Sequence, residues 1–296
     1  MLDENGAVDP IVYDLWHVIS AIDDLIPGKV EQTRLLGETL HFVLDETGDA
    51  QVWSGSADPA ARAQKVQAQI KYGYIWAVLG TPSRDIFDIP EFAEPGRRNM
   101  NALSVGVHTS APRVVENFLD MAHFPFVHTD ILGEEPHTEV VEYNVSYRPE
   151  DWEILANDCK FYQPKASAAS NEGVVADYAY RVPHPFCAVL YKSSPDDAVR
   201  LDAISVFAQP LDEEHVKAHL MLSVIDHHTE LDKHIRLFQQ TILGQDKPIL
   251  ENQMPRKLPL DPRAETPIRA DKVSIAYRRW LRDLDLQYGV LPATAQ

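Results

Sequence analysis

Cysteine is almost missing from this chain. Cys159 and Cys187 are the two present in 296 residues, and neither belongs to a CxxC or CxH pattern. That argues against a disulfide framework, a structural zinc site and a cysteine-ligated iron–sulfur cluster. Basic charge is scarce too: 27 Lys and Arg stand against 45 Asp and Glu, a net charge of −18. Nucleic acid and anionic membrane are poor partners for such a surface. Long apolar runs are missing, since none approaches the roughly 20 residues of a membrane span. The start, Met1-Leu2-Asp3-Glu4-Asn5-Gly6, lacks the basic and apolar regions of a signal peptide, so the cytoplasm is the expected location. What is present is ordinary for a soluble protein: 45% hydrophobic and 24% charged residues. The length allows a sizeable core and one large domain or two.

The first part of the chain reads as β structure. Trp16-His17-Val18-Ile19-Ser20 is a short apolar strand, and residues 31–36 and 40–44 are two more around a turn at Gly37-Glu38. Residues 54–71 are rich in Ala, Gln and Arg and fit a short helix or an exposed loop. Tyr72-Gly73-Tyr74-Ile75-Trp76-Ala77-Val78-Leu79 is a strand, and the segment 85–96, with Pro90 and Pro95, reads as a linker. The expected division is therefore a β domain over 1–95 and a second domain over 96–296. In the second, Leu103, Val105 and Val107 alternate as a half-buried strand. Strand candidates follow at 139–147, 152–159, 174–182, 187–192, 201–209 and 216–225, separated by turn-rich segments such as 193–197 and 210–214. Short hairpin-linked runs without β–α alternation predict an antiparallel sheet. Helix returns with Leu231, Ile235, Phe238 and Ile242 on one face behind a Thr229 cap; Gly244 is read as an interruption and Pro255 as the stop. A last amphipathic helix spans 274–284. The fold class is α+β.

Residues 116–129 concentrate the chemistry. Ser110 and Pro112 begin a helix, and Val114, Val115, Phe118, Leu119 and Ala122 give it an apolar stripe. Asn117, Asp120 and His123 recur every three residues and so share one side of it. Pro125 disfavours helix at Phe124, leaving His128 just past the helix on chain that can fold back towards His123. Two such histidines suit one metal with Asp120 behind them. Yet with twelve histidines in the chain, the spacing is equally served by satisfied core or surface histidines. A non-haem Fe(II) site also needs a carboxylate and open positions for O₂. Asp246 is the candidate, its bland alternative being a helix-start carboxylate favoured by the dipole. Leu250, Gln253 and Met254 follow on about the same side, where core packing is the plain reading. Glu251 is the rival ligand on another side. His108, His137, His184, His215, His219 and the pair His227-His228 have no partner pattern, and Tyr178, Tyr180 and Phe207 read as core.

Asn117-x-x-Asp120-x-x-His123-x-x-x-x-His128 resembles the iron-binding motif of Rieske non-haem iron oxygenase α subunits. Ile242-Leu243-Gly244-Gln245-Asp246 with Ile249-Leu250-Glu251-Asn252-Gln253 is similar to the segment around their third ligand. Ala276-Tyr277-Arg278-Arg279-Trp280-Leu281 is similar to their C-terminal motif. Trp16-His17-Val18, Arg34-Leu35-Leu36-Gly37 and Tyr72-Gly73-Tyr74-Ile75-Trp76 match framework strands of a Rieske domain. The departure is equally plain. The CxH and CxxH loops that hold a Rieske cluster should lie between Leu44 and Tyr72, and that interval has no cysteine. The chain is most similar to the branch of methylxanthine N-demethylase subunits that lack a cluster and act on the 7-methyl group.

This resemblance implies a residual Rieske-like antiparallel β unit followed by a helix-grip (START/Bet v1-like) sheet with helices carrying a mononuclear iron site. It implies Fe(II) held by His123, His128 and Asp246, with Asp120 bridging to the electron donor and Asn117 near the iron. It implies no [2Fe-2S] cluster in this chain, O₂ as co-substrate and NAD(P)H electrons delivered through a partner's Rieske cluster. The implied reaction is hydroxylation of an N-methyl carbon, then collapse to the amine and formaldehyde, in a trimer or hetero-oligomer. Phe124, Leu250, Gln253 and Met254 are the expected substrate lining. Three alternatives stay open: a non-catalytic ligand-binding or scaffolding subunit, a hydroxylase or O-demethylase of another small aromatic, and a zinc hydrolase using the same triad.

Overall fold

The computed structural model describes residues 9–58, 64–165, 173–194, 197–225 and 231–293. The Thr229 cap and the His227-His228 pair fall outside them. After a single turn, α1 (Pro10–Tyr13), the chain lays down β1 (His17–Ala21), β2 (Glu31–Leu35), β3 (Glu38–Leu44), β4 (Ala50–Ser54), β5 (Gln64–Lys71) and β6 (Tyr74–Val78). These form one antiparallel sheet in the order β1-β6-β5-β4-β3-β2. The hairpin turns at Leu36-Gly37 and Tyr72-Gly73 have both central residues at positive φ, as two-residue turns matched to strand twist require.

Residues 64–71 are a strand, not the helix or loop expected. Gln64, Lys65, Gln67 and Gln69 of β5 face solvent while Val66 is buried, so a polar face concealed the strand period. By contrast, β1 and β6 are buried along their whole length, which is why they read as continuous apolar runs.

From Arg97 the chain builds the second sheet: β7 (Arg97–Val107), β8 (Asn144–Arg148), β9 (Glu153–Gln163), β10 (Val174–His184), β11 (Cys187–Ser194), β12 (Asp197–Pro210) and β13 (Val216–Ile225). Its order is β7-β13-β12-β11-β10-β9-β8, antiparallel throughout. Residues 139–143 carry no strand, so the strand expected there is shorter and later. Between β7 and β8 lie α2 (Ala111–Leu119) and α3 (Phe124–Val127); after β13 come α4 (Asp232–Asn252) and α5 (Lys272–Asp283), with the two-residue parallel pair β14 (Leu258–Pro259) and β15 (Val290–Leu291). No helix among the described residues is long and apolar enough to cross a membrane.

Strand parity decides what each face of the second sheet meets. Cys187 and Val189 of β11, Ala203 and Phe207 of β12 and Met221 of β13 pack on Trp16, Tyr74 and Trp76 of the first sheet. Phe207 meets the Trp76 ring at 5.1 Å and the Tyr74 ring at 5.3 Å, both edge-on. The alternate residues, Leu190, Ile204, Val206 and Leu220, face the helices and join the main core. There α2 lies over β11 and β12, α4 over β7, and α5 over β9. The result is the α+β, helix-grip arrangement expected. Under α2 runs a buried charge network: Arg113 reaches Glu116 at 3.1 Å and Glu265 at 2.7 Å, and Arg278 of α5 pairs with both carboxylates.

Candidate metal centre

The helix α2 starts as its sequence dictates, with Ser110 at the cap and Pro112 in the first turn. It ends one residue before Asp120, which is already extended (φ −82°, ψ 120°). Asp120 and His123 therefore lie beyond the helix, not on its side. Pro125 likewise does not stop a turn but opens one. It occupies the first turn of α3, where its missing N–H costs nothing, and His123 and His128 flank α3 as its two caps. That single turn brings the imidazoles together, with their Nε2 atoms 3.1 Å apart.

The return loop fixes α3 in place. The N–H groups of Ile131 and Leu132 donate to the His128 carbonyl, each at 3.0 Å. Gly133 passes so close that a Cβ there would sit 2.7 Å from Pro125 N and 2.9 Å from Pro125 Cα. Only a residue without a side chain allows that approach.

Asp246 comes from the middle of α4. Gly244 does not interrupt this helix, which runs on through Pro248, so the helix-start explanation of Asp246 falls away. Its Oδ1 lies 3.1 Å from His128 Nε2 and 3.4 Å from His123 Nε2. Asn117 donates Nδ2–H to the same Oδ1 at 3.4 Å. His123, His128 and Asp246 thus each offer one ligand atom within 4.8 Å of the others. The rival Glu251 turns away, accepting from Lys247 Nζ and, at 3.1 Å, from the His108 N–H.

The far side of each imidazole is also held. His123 Nδ1 sits 3.1 Å from Asp120 Oδ2, and the other oxygen of that carboxylate accepts from Ala122 N–H at 2.7 Å. His128 Nδ1 sits 2.9 Å from Gln245 Oε1. With each Nδ1 donating to an oxygen, each Nε2 presents a lone pair to the shared point. The electrostatics agree. Burial disfavours charge on His123, yet Asp120 and then Asp246 raise its pKa to about 9. Burial pushes the Asp246 carboxyl up, but His123 and His128 outweigh this and hold it at about 2. A point that favours a proton so strongly favours a cation in its place, and two neutral imidazoles with one carboxylate are a donor set that Fe(II) accepts.

Two spaces meet at this point. An outer cleft of about 500 Å³ is lined by Asp120, His123, Asn117, Gln253 and Ser274 among others. An inner cavity shares Asn117 and His123 but continues past Phe124, His128 and Asp246 to Tyr178, Tyr180 and Leu190 on the sheet. Of the expected substrate residues, Phe124 alone lines the inner cavity; Gln253 lines the cleft. Leu250 is buried in the core, and Met254, beyond the last turn of α4, is 68% exposed. The helical side inferred for Met254 thus ends before it. Gln245 was assigned no role from sequence, although its place next to Asp246 is the signal that marks it. Tyr178 and Tyr180, read as core, form part of the cavity wall.

Residues 107–286 match the protein family described as the vanillate O-demethylase oxygenase C-terminal domain. The chain is also 47% identical over 283 residues to the probable methylxanthine N7-demethylase NdmC of Pseudomonas sp. (strain TJI-51), covering 96% of this chain and 98% of that protein. The chain belongs to the Rieske non-haem iron oxygenase family. Within it, this oxygenase lies among N-demethylases. It is 27% identical over 232 residues to the methylxanthine N1-demethylase NdmA of Pseudomonas putida, covering 76% of this chain and 62% of that one. The solved structure of Pseudomonas putida CBB5 NdmA with caffeine has the same fold, at a TM-score of 0.74 and 21% identity over 93% of this chain and 91% of that chain. Dicamba monooxygenase bound to dicamba shares it too, at a TM-score of 0.72 and 16% identity over 93% and 97% of the two chains. A mononuclear iron site and the use of O₂ follow from membership of this oxygenase family.

Proposed function

We propose that this chain is the oxygenase component that removes an N-methyl group from a methylxanthine, with the 7-methyl group as its target and His123, His128 and Asp246 as the iron ligands. The convergence of these three side chains, with both imidazoles held from behind, is the observation that carries the reading. Overall, the N-methyl compound, O₂, two electrons and two protons give the N-hydroxymethyl compound and water. The hydroxymethyl group then leaves as formaldehyde, and the ring nitrogen keeps a hydrogen. Fe(II), when held by the triad, supplies the activation of O₂. The protein supplies the rest. Asp120 and Gln245 fix the imidazole tautomers. Asn117 orients the Asp246 carboxylate. The apolar inner cavity excludes water and sets the N-methyl carbon beside the metal point, with Phe124 against the ring.

The electron donor is a second polypeptide in this reading. No CxH or CxxH loop lies between Leu44 and Tyr72, so electrons must come from a Rieske cluster carried elsewhere, fed in turn by NAD(P)H. Asp120, bonded to His123 and lining the open cleft, is the point of entry. The two sheets are taken as two domains, 1–95 and 96–296, in an oligomer with that donor.

Metal analysis of the purified chain, with formaldehyde measured on 7-methylxanthine, tests the reading. Iron is expected, with turnover only when a Rieske-bearing reductase is added. Zinc without O₂-dependent product points to the hydrolase alternative. Turnover driven by a reductant with no cluster overturns the partner assignment.

A further inference from the structure

On its sheet side the inner cavity is bordered by a tyrosine whose hydroxyl the metal chemistry does not use. Tyr180 of β10 stands opposite Ala156 of β9 and Leu190 of β11 and lines the cavity with Leu190, Ile204 and Val206. Its ring is held from two directions. Phe118 of α2 meets it edge-on with centroids 6.2 Å apart, and the Tyr178 ring lies beside it, also at 6.2 Å, with planes 25° apart. Tyr180 is 1% exposed, and its hydroxyl has no hydrogen-bond partner among the described residues. Burial first, and then the neighbouring Tyr178, raise its pKa, so the hydroxyl keeps its proton.

The polar groups beside it on the wall are engaged. The Tyr178 hydroxyl is bonded to the Gln163 amide, whichever way that amide faces. Lys192 stands opposite Asp202 across the β11–β12 ladder and is attracted by that carboxylate. Tyr180 is different. A buried hydroxyl without a partner weakens the fold, and native structures bond nearly all such groups. The packing against Phe118 and Tyr178 is served equally well by a phenylalanine ring, so it gives no reason for the oxygen. A hydroxyl that holds its proton needs an acceptor, and its apolar neighbours on this wall supply none. A ligand in the cavity can.

We propose that Tyr180 is a specificity-determining residue whose hydroxyl donates a hydrogen bond to a carbonyl oxygen of the heterocycle bound in the inner cavity. The inference rests on the N-demethylase reading above and deepens it: the sheet wall selects an oxo heterocycle over a ring of the same shape without the oxygen. A purely apolar cavity accepts both rings. Here the second ring leaves the hydroxyl unpaired, and a site that bonds a substrate group discriminates against the analogue lacking it.

Direct binding to the iron-loaded protein, measured by calorimetry, tests this without turnover. The probes are 7-methylxanthine and 1-methylbenzimidazole, which has the same fused ring frame and an N-methyl group but no carbonyl oxygen. The variant is Tyr180→Phe, which keeps the ring and removes the hydroxyl. It is expected to weaken 7-methylxanthine binding by about tenfold and to leave 1-methylbenzimidazole binding unchanged. The melting temperature of the ligand-free protein separates this role from a structural one. Tyr180→Phe is expected to melt no lower than the wild type, because it loses an unpaired buried group. A lower melting temperature overturns the proposal, since the hydroxyl then has a partner within the fold. So does unchanged binding of 7-methylxanthine, or an equal loss for both probes. Failure of the wild type to bind 7-methylxanthine is a different result, because it overturns the functional reading itself.

Discussion

At the scale of single residues, the proposed centre depends on what stands behind the imidazoles as much as on the proposed ligands. Gln245 and Asp120 play parallel parts, one for each histidine, but one is neutral, half-buried and carried on α4, and the other is a carboxylate that faces the cleft. Their variants should therefore separate. Gln245→Leu removes the group that fixes the His128 tautomer and is expected to weaken iron binding by about 10- to 100-fold. Asp120→Asn keeps a hydrogen-bonding group at His123 and is expected to retain iron, while formaldehyde release with the partner reductase falls by at least about tenfold. Iron titration alongside product assay checks both; equal iron loss in the two variants would refute the division of labour. Most of this was legible in the sequence. The spacing of Asn117, Asp120, His123 and His128 and the family pattern at Asp246 named the five residues that meet. Gln163, Tyr178, Tyr180 and Lys192 were not legible as cavity residues. A strand's alternation separates two faces without saying that one of them borders empty space.

At the scale of elements, the errors have physical causes. Gly244 weakens a helix and suggested a break, and Pro248 weakens it again four residues on. Yet α4 spans the sheet edge with Gln240 donating to the Ala102 carbonyl at 2.9 Å and Lys247 to the Gly106 carbonyl at 2.7 Å, and this docking overrides local propensity. β5 was hidden by its glutamines and lysines, since the face it shows to water looks like a loop. At Pro125 the expected bar to helix at Phe124 does not hold, because Phe124 opens α3 and the proline fills its first turn. The α3 turn depends on the close passage of Gly133. Gly133→Ala would set a methyl carbon 2.7 Å from Pro125 N and must push the turn away. A loss of roughly 1–3 kcal/mol of stability is expected, together with weaker iron binding as the imidazoles separate. Urea unfolding and iron titration measure the two effects, and an unchanged midpoint would mean that the loop gives way without cost.

At the scale of the whole molecule, two sheets are joined through a buried aromatic layer that also contains histidines. His17 of β1 and His184 of β10 meet edge to face, with ring centroids 5.7 Å apart. Burial lowers the pKa of His17 to about 4, against a bond to the Val12 carbonyl, and lowers that of His184 as well. Both groups are neutral in the folded protein. Unfolding lets them recover an ordinary value near 6.5, so below that pH the unfolded chain takes up protons that the native one refuses. Stability from this source is complete above about pH 6.5 and is lost as the pH falls towards 4. For His17 the loss is up to about 3 kcal/mol. The urea midpoint should fall over that interval, and His17→Phe should flatten the slope while costing stability at neutral pH. A slope unchanged in that variant would assign the acid sensitivity to other groups. The antiparallel class and the seven strands of the second sheet were readable from hairpin spacing, while β4 and β5 of the first were not, and nothing local encodes which strand faces meet across the two sheets.

The metal point is a shared wall. His123 and Asn117 border the open cleft on one side and the inner cavity on the other. If the proposed donor docks at the cleft and the proposed heterocycle lodges against the sheet, the two approach His123 and Asn117 from opposite sides. On that proposal each could stay while the other comes and goes, so the order in which they arrive would be left free, and scarcity of one would limit the rate without displacing the other.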